Sequence, residues 1–158
     1  MSNQLMGVNL TAVRTNAEGP EFALGTVHQD AETGKRYRYV QYNSGAGAVA
    51  AVAGNMVYYY AVSGASAGQT DIVTMDVTDS GGIGAGALQA VIATTGYGWI
   101  QTGGVATLTT ALTAGADGNA LTAIGTTDGT LDVSAAVTDF ICAVAIDASA
   151  KIVFLTCP

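Results

Sequence analysis

Turn signals interrupt this chain about every ten residues, and that spacing restricts the fold more than any other feature. The breaks fall at Asn16–Pro20, Asp30–Gly34, Asn43–Gly47, Ala114–Asn119, Thr126–Thr130 and Asp147–Lys151, each built from Asp, Asn, Gly, Pro or Ser. Between them lie short runs rich in Val, Ile, Thr and Tyr. Such runs suit a pleated, half-buried surface. Short strands at this spacing predict an all-β, single-domain sandwich or barrel of about nine or ten antiparallel strands. The strict self-similarity of a solenoid is absent.

The 158 residues divide into an extended N-terminal arm, 1–20, and a β domain, 21–158. The arm lacks clean periodicity and ends at Gly19-Pro20. Glu21–Gln29 and Arg36–Tyr42 read as a hairpin around Asp30–Gly34. Ala48–Ala53 is expected to form one or two helical turns. Met56–Val62 and Asp71–Val77 read as strands, Ser63–Gln69 as a small-residue loop and Asp79–Gly86 as a flexible loop. Ala87–Ala93 reads as a central strand. The stretch Gly96–Gly104 follows, holding the one tryptophan, Trp99, between glycines expected to mark tight bends. Val105–Leu112 is expected to be a separate strand. A last hairpin pairs Phe140–Ile146 with Ile152–Cys157, and strict alternation from Asp147 opposite Ile152 places Cys142 opposite Cys157.

Charge narrows the partners. Twelve acids against five cations give a net charge of −7, which disfavours general binding to nucleic acid. Charged residues make up 11% of the chain, and none between Tyr39 and Ala150 is Lys or Arg. Arg14, Lys35, Arg36 and Arg38 therefore concentrate positive charge in the first quarter, where an acidic partner is expected to dock. No apolar run is long enough for a bilayer-spanning helix, so no membrane partner is expected. Met1-Ser2-Asn3-Gln4 lacks the basic region and apolar run of a signal peptide.

No catalytic, cofactor or metal site is expected. His28, the one histidine, has no ligand-spaced Cys or carboxylate beside it, and no Gly-x-Ser-x-Gly elbow accompanies it. Gly81–Gly86 has the glycines of a phosphate loop but neither its lysine nor a following helix. Asp30, Glu32, Asp117 and Asp128 sit in turns, where such side chains bond nearby amides. Cys142 and Cys157 read as two buried small hydrophobes. The suggestive cluster is aromatic: Tyr37, Tyr39, Tyr42, Tyr58, Tyr59 and Tyr60 beside Arg36 and Arg38. Tyr and Arg enrich protein interfaces, so these residues are expected to carry protein contacts, with Trp99, Gly98 and Gly103 structural.

Four motifs resemble the small decoration, or cement, proteins that coat tailed-bacteriophage capsids. They are Leu24-Gly25-Thr26-Val27 leading to the Asp30–Gly34 turn, Ala53-Gly54-Asn55-Met56-Val57-Tyr58, Gly98-Trp99-Ile100-Gln101-x-Gly103, and Cys142-Ala143-Val144-Ala145-Ile146 in the last hairpin. The resemblance spans roughly residues 22 to 157 and carries no catalytic residue. It implies a non-enzymatic virion structural protein, assembled in the host cytoplasm, that binds the major capsid protein on the outer capsid surface and stabilises the head. It also implies a homo-oligomer, a trimer ahead of a dimer. The alternatives are a phage tail-tube or fibre subunit and a carbohydrate-binding β-sandwich; the latter requires an exposed aromatic platform at Trp99 or Tyr97. A hydrolase acting through His28 is a further alternative.

Overall fold

A computed structural model describes residues 7–61 and 71–158. The readings of Met1–Gln4, the first residues of the arm, Val62 and the Ser63–Gln69 loop lie outside those residues. The described chain is all-β, with ten strands in one sheet. In chain order they are β1 (Val27–Gln29), β2 (Arg36–Tyr42), β3 (Met56–Tyr60), β4 (Ile72–Thr74), β5 (Ser80–Leu88), β6 (Tyr97–Thr107), β7 (Ala120–Thr122), β8 (Asp132–Val133), β9 (Ile141–Asp147) and β10 (Ile152–Thr156). A 3-10 turn, Val77–Asp79, precedes β5 and is capped by the Asp76 carboxylate.

Five strands close on themselves. β2 pairs β4, β4 pairs β3, β3 pairs β5, β5 pairs β6, and β6 returns to β2. The result is a small barrel with a side-chain-filled interior. Val40, Tyr42, Val57, Val73, Met75, Ala85, Leu88 and Ile100 occupy it. The expectation of antiparallel strands fails at one seam, because β2 and β4 run parallel, Gln41 opposite Ile72 and Tyr42 opposite Val73. The chain between them includes all of β3, which supplies the length that a parallel return requires.

The barrel depends on β6, whose eleven residues do two jobs. Its first part, Tyr97–Gly103, lies against β2. Its last part, Gly103–Thr107, leaves the barrel and pairs β10, which continues through β9 and β7 to β8 as a four-stranded wing. The separate strand expected at Val105–Leu112 is therefore the continuation of the Trp99 strand. The bend expected at Gly103-Gly104 is replaced by a bulge inside it at Thr102, where the register against β2 slips between Tyr37–Gln101 and Arg36–Gly103. Gly104 takes φ +89°, and the buried Gln101 amide donates to the Gly103 and Val105 carbonyls at 3.2 and 3.0 Å. Glycine supplies the left-handed backbone, and the glutamine satisfies the carbonyls that the bulge removes from the ladder.

Three further expectations are corrected. The glycine-rich run Gly81–Gly86 is not a loop but most of β5, and Ala87–Ala93 contributes only Ala87 and Leu88 to it. Two of its glycines are required by close neighbours: a Cβ on Gly86 would lie 2.3 Å from the Gln101 carbonyl oxygen, and one on Gly84 2.6 Å from the Cys142 sulfur. Ala48–Ala53 forms turns rather than helix, with Ala48 at φ +51°. Of Glu21–Gln29 only Val27–Gln29 joins the sheet, because Glu21–Ala23 turns aside to cover Tyr39.

A second core of Met56, Tyr58, Leu108, Leu121, Leu131, Cys142, Val153, Leu155 and Cys157 fills the angle between wing and barrel. Tyr58 is fully buried there, accepting from the Thr130 amide at 2.9 Å and donating to the Thr130 carbonyl. Burial pushes its phenol well above the ordinary tyrosine value. Tyr42, in the barrel, donates to the Val49 carbonyl at 2.6 Å, and burial pushes its phenol up to about 12.

Two outcomes follow from this packing. Gly86→Ala combines a φ of +151° with a backbone collision, and is expected to cost about 3 kcal/mol or more, lowering Tm by roughly 6–12 °C in a thermal melt. Alkali supplies the second test. Below the ordinary phenol value of 10.0, Tyr42 is neutral both folded and unfolded. Above it, the unfolded chain releases a proton that the folded chain retains, so stability falls as pH rises from about 10 to about 12, by on the order of 2–3 kcal/mol for this residue. Urea unfolding across that range is expected to show the fall, and Tyr42→Phe to lessen it, with the other buried phenols, Tyr58 foremost, keeping the remainder.

Candidate interaction surface

The basic first quarter does not remain a free arm in its described part. Val8, Leu10 and Phe22 pack on a cluster of Tyr37, Tyr39, Tyr97 and Trp99, the barrel's outer face at β2 and β6. Phe22 sits 5.3 Å, centroid to centroid, from both Tyr39 and Trp99. Arg14 exchanges two backbone hydrogen bonds with Tyr97, at 2.9 and 2.8 Å. The Tyr97 hydroxyl reaches the Asn16 carboxamide at 3.2 Å. Residues 7–22 thus complete the domain that the sequence reading placed after residue 20.

This rearranges the expected contact residues. Tyr37, Tyr39 and Tyr58 are buried, so their rings are core rather than interface. The reason is cover from distant parts of the chain: Val8, Leu10 and Phe22 pack over the cluster that holds Tyr37 and Tyr39, and Tyr58 of β3 points into the core shared with the wing. Tyr59 and Tyr60 are half-buried at the end of β3. Tyr59 accepts from the Arg38 guanidinium at 2.8 Å and donates to the Pro158 carbonyl at 3.1 Å; burial raises its phenol above the ordinary value. Arg38 also lies 4.0 Å from Asp71. Arg14 pairs with Glu18 and Glu21 at 3.8 and 3.5 Å. Lys35 and Arg36 make no ion pair among the described residues. Trp99, Gly98 and Gly103 do have structural surroundings: Trp99 is core, a Cβ on Gly98 would strike Ile92, and one on Gly103 would strike Arg36. Trp99 and Tyr97 lie beneath the N-terminal segment and offer no platform to a glycan.

The other candidates resolve into structural roles. His28 lies on β1, stacked 6.4 Å from Tyr37. Asp30 accepts from the Glu32 amide and the Thr33 hydroxyl, and these bonds hold its carboxyl below the ordinary value. Asp76 accepts from the Thr78 hydroxyl and from the Thr78 and Gly47 amides, and Asp79 from the Ala46 amide, so both hold the Asn43–Gly47 loop against the 3-10 turn. Asp117 and Asp128 accept the Ala148 and Val77 amides at 2.9 Å. Among the described residues no cluster of three or more His, Cys, Asp and Glu side chains is placed to hold a metal ion.

The sequence reading missed the feature that stands out on the surface. On the wing's outer face, Val105, Phe154, Val144 and Ala120 are laterally paired across β6, β10, β9 and β7. Val105, Phe154 and Val144 are 44%, 46% and 39% exposed, and Ile146 beside them 46%. The opposite face of the same strands is core, with Val153, Leu155 and Ala143 buried. An antiparallel sheet with one wet face ordinarily alternates apolar and polar residues. Ile152-Val153-Phe154-Leu155 is apolar on both sides, and that unbroken run was the available signal.

The last hairpin also departs from strict alternation. Asp147 faces Ile152 as expected, but Val153 faces Ala145, Phe154 faces Val144 and Leu155 faces Ala143. Ile146 is bulged out, so Cys142 is not directly opposite Cys157. Both thiols are free and buried, with the Cys157 thiol 3.5 Å from the Cys142 carbonyl. The neighbouring Cys142 thiol, with burial, holds Cys157 well above the ordinary cysteine value.

Comparison with known protein families, curated proteins and solved structures finds no match to this chain.

Thiol reactivity checks the packing between wing and barrel. In native protein near pH 8, Cys142 and Cys157 are expected to resist an aromatic disulfide reagent, and both to react at once in denaturant.

Proposed function

We propose that this chain is a non-enzymatic virion structural protein that binds the outer surface of a phage capsid and stabilises the head. The observation that carries the reading is the uncharged apolar row Val105–Phe154–Val144, exposed side by side across three neighbouring strands. Contiguous exposed apolar surface is what a protein that works by contact presents. The motifs at Gly98–Gly103 and Cys142–Ile146 add the resemblance to capsid decoration proteins. The reading also accounts for the charge: a net −7 repels packaged DNA and suits the outside of a shell. A surface poor in charge lowers the desolvation cost of broad contacts, and repeated copies on a lattice add avidity. The partner would be the major capsid protein, and Lys35, just before β2, and Arg36, at its start, which make no ion pair among the described residues, are the cations available to its acidic patches.

Co-sedimentation with undecorated phage heads tests this directly. Saturable binding at fixed stoichiometry is expected; protein that stays in the supernatant beside its matching heads ends the proposal. Deleting residues 1–20 would uncover Tyr39 and Trp99, so Lys35→Glu is the cleaner probe. It is expected to weaken head binding several-fold and to leave the melting temperature unchanged.

A further inference from the structure

We infer that Cys142 and Cys157 form a latent redox pair: a low-molecular-weight disulfide oxidises them to one intramolecular bond that staples the end of β10 to β9 inside the native fold. The inference concerns the joint between wing and barrel and does not depend on the proposed function.

Three observations bring the two sulfurs together. The first is a bulge in β9. Against β7, Ala143 pairs with Leu121 and Ile141 with Thr122, which leaves Cys142 as an extra residue without a partner. A regular period of two would put Cys142 on the exposed face of Val144; instead it is fully buried, turned over by the bulge. Cys157, just past β10, is buried on the side of Leu155, in the same core cluster as Cys142. The second is the room that β5 leaves. Gly84 has no side chain, and a Cβ there would lie 2.6 Å from the Cys142 sulfur. The third is the contact itself: the Cys157 thiol stands 3.5 Å from the Cys142 carbonyl, with the Cys142 thiol beside it. The spacing of the backbones agrees. Leu155 pairs with Ala143, so Cys142 lies one residue further along β9 and Cys157 two residues further along β10. At about 4.8 Å between strands and about 3.4 Å per residue, their Cα atoms are roughly 6 Å apart, inside the roughly 4.4–6.8 Å that a disulfide spans.

The folded pair is idle. Both thiols are buried. The Arg36 guanidinium favours the Cys157 thiolate, but the Cys142 thiol and burial outweigh it and keep Cys157 protonated. The thiolate, not the thiol, is the nucleophile, so exchange waits for an opening of the wing from the barrel, as during folding. In the opened chain, one cysteine thiolate attacks oxidised glutathione and expels one glutathione thiolate. The second cysteine thiolate attacks the resulting mixed disulfide and expels the other. Two electrons pass from the cysteines to the oxidant, and the two cysteine protons end on two glutathione thiols. The bond closes a loop of about 15 residues, which restricts the unfolded chain while the folded one already holds the sulfurs side by side. A reducing compartment keeps the dithiol, and an oxidising one gives the staple.

Oxidative refolding of the whole chain is the test. The unfolded, reduced chain is equilibrated with oxidised and reduced glutathione, in native buffer and in denaturant, and quenched by alkylation. Trypsin cuts after Arg38 and Lys151 and so separates the two cysteines. The bond is expected to hold Ile152–Pro158 to the large Tyr39–Lys151 peptide until a reductant is added. Native buffer is expected to favour the bond roughly a hundredfold more than denaturant does. The oxidised chain is expected to melt roughly 6–12 °C above the reduced one, with the same near-UV circular dichroism. Cys142→Ala and Cys157→Ala should each abolish that redox-dependent shift. A chain that yields only glutathione adducts or intermolecular bonds overturns the inference. So does a bond no more favoured in native buffer than in denaturant, or an oxidised chain that melts no higher than the reduced one or loses its near-UV spectrum. None of these readouts involves a phage head, so failure to bind heads removes the capsid reading and leaves the redox pair standing.

Discussion

The pairing of β2 with β6 holds this molecule together. It runs from Gln41 opposite Tyr97 to Arg36 opposite Gly103, and it turns an open sheet into a five-stranded ring. Closure leaves those five strands without a free edge, which removes a standing route to aggregation. Because β6 outlasts the barrel, the same strand also founds the wing through β10. One continuous ladder thereby fixes the relative placement of two cores. The bulge at Thr102, with Gln101 donating to the Gly103 and Val105 carbonyls just beyond it, is where β6 passes from barrel to wing.

That pairing also gathers the aromatic residues. Tyr37 and Tyr39 from β2 meet Tyr97 and Trp99 from β6 on the barrel's outer face, with Tyr39 and Trp99 rings 5.2 Å apart. Such a cluster needs cover, and residues 7–22 supply it. The segment contributes Phe22 as a wedge, Arg14 as a one-residue extension of the ladder, and Glu18 and Glu21 to neutralise Arg14 in place. Positive charge that looked available in the sequence is partly consumed within the chain. The exposed apolar surface lies elsewhere, on the wing.

Where the sequence misled, the cause was long-range. Gly81–Gly86 has the composition of a loop, yet it lies in β5 between β3 and β6, with Gln101 and Cys142 in the space that side chains at Gly86 and Gly84 would need. Nothing local to that run reveals the two neighbours. The tyrosines Tyr37 and Tyr39 of β2 alternate as in a half-exposed strand, yet the N-terminal segment covers that face. The Phe154 row escaped notice for the converse reason. A run apolar on both faces reads as a strand buried on both, and only the sheet order shows that one side has no cover.

The amino-acid sequence by itself determined the all-β class, the short strands, the positions of most turns and the pairing of Asp147 with Ile152. These follow from local chemistry: β-branched and aromatic runs, Asp and Gly at turns, and a period of two. Tertiary structure alone decided the parallel seam between β2 and β4, the closure of the ring, the burial of Tyr37, Tyr39 and Tyr58, and the exposure of Val105, Phe154 and Val144. Each of those depends on which distant strand lies alongside, and a backbone hydrogen bond is the same whatever residue it joins. Side-chain packing chose among the pairings that the ladder allows.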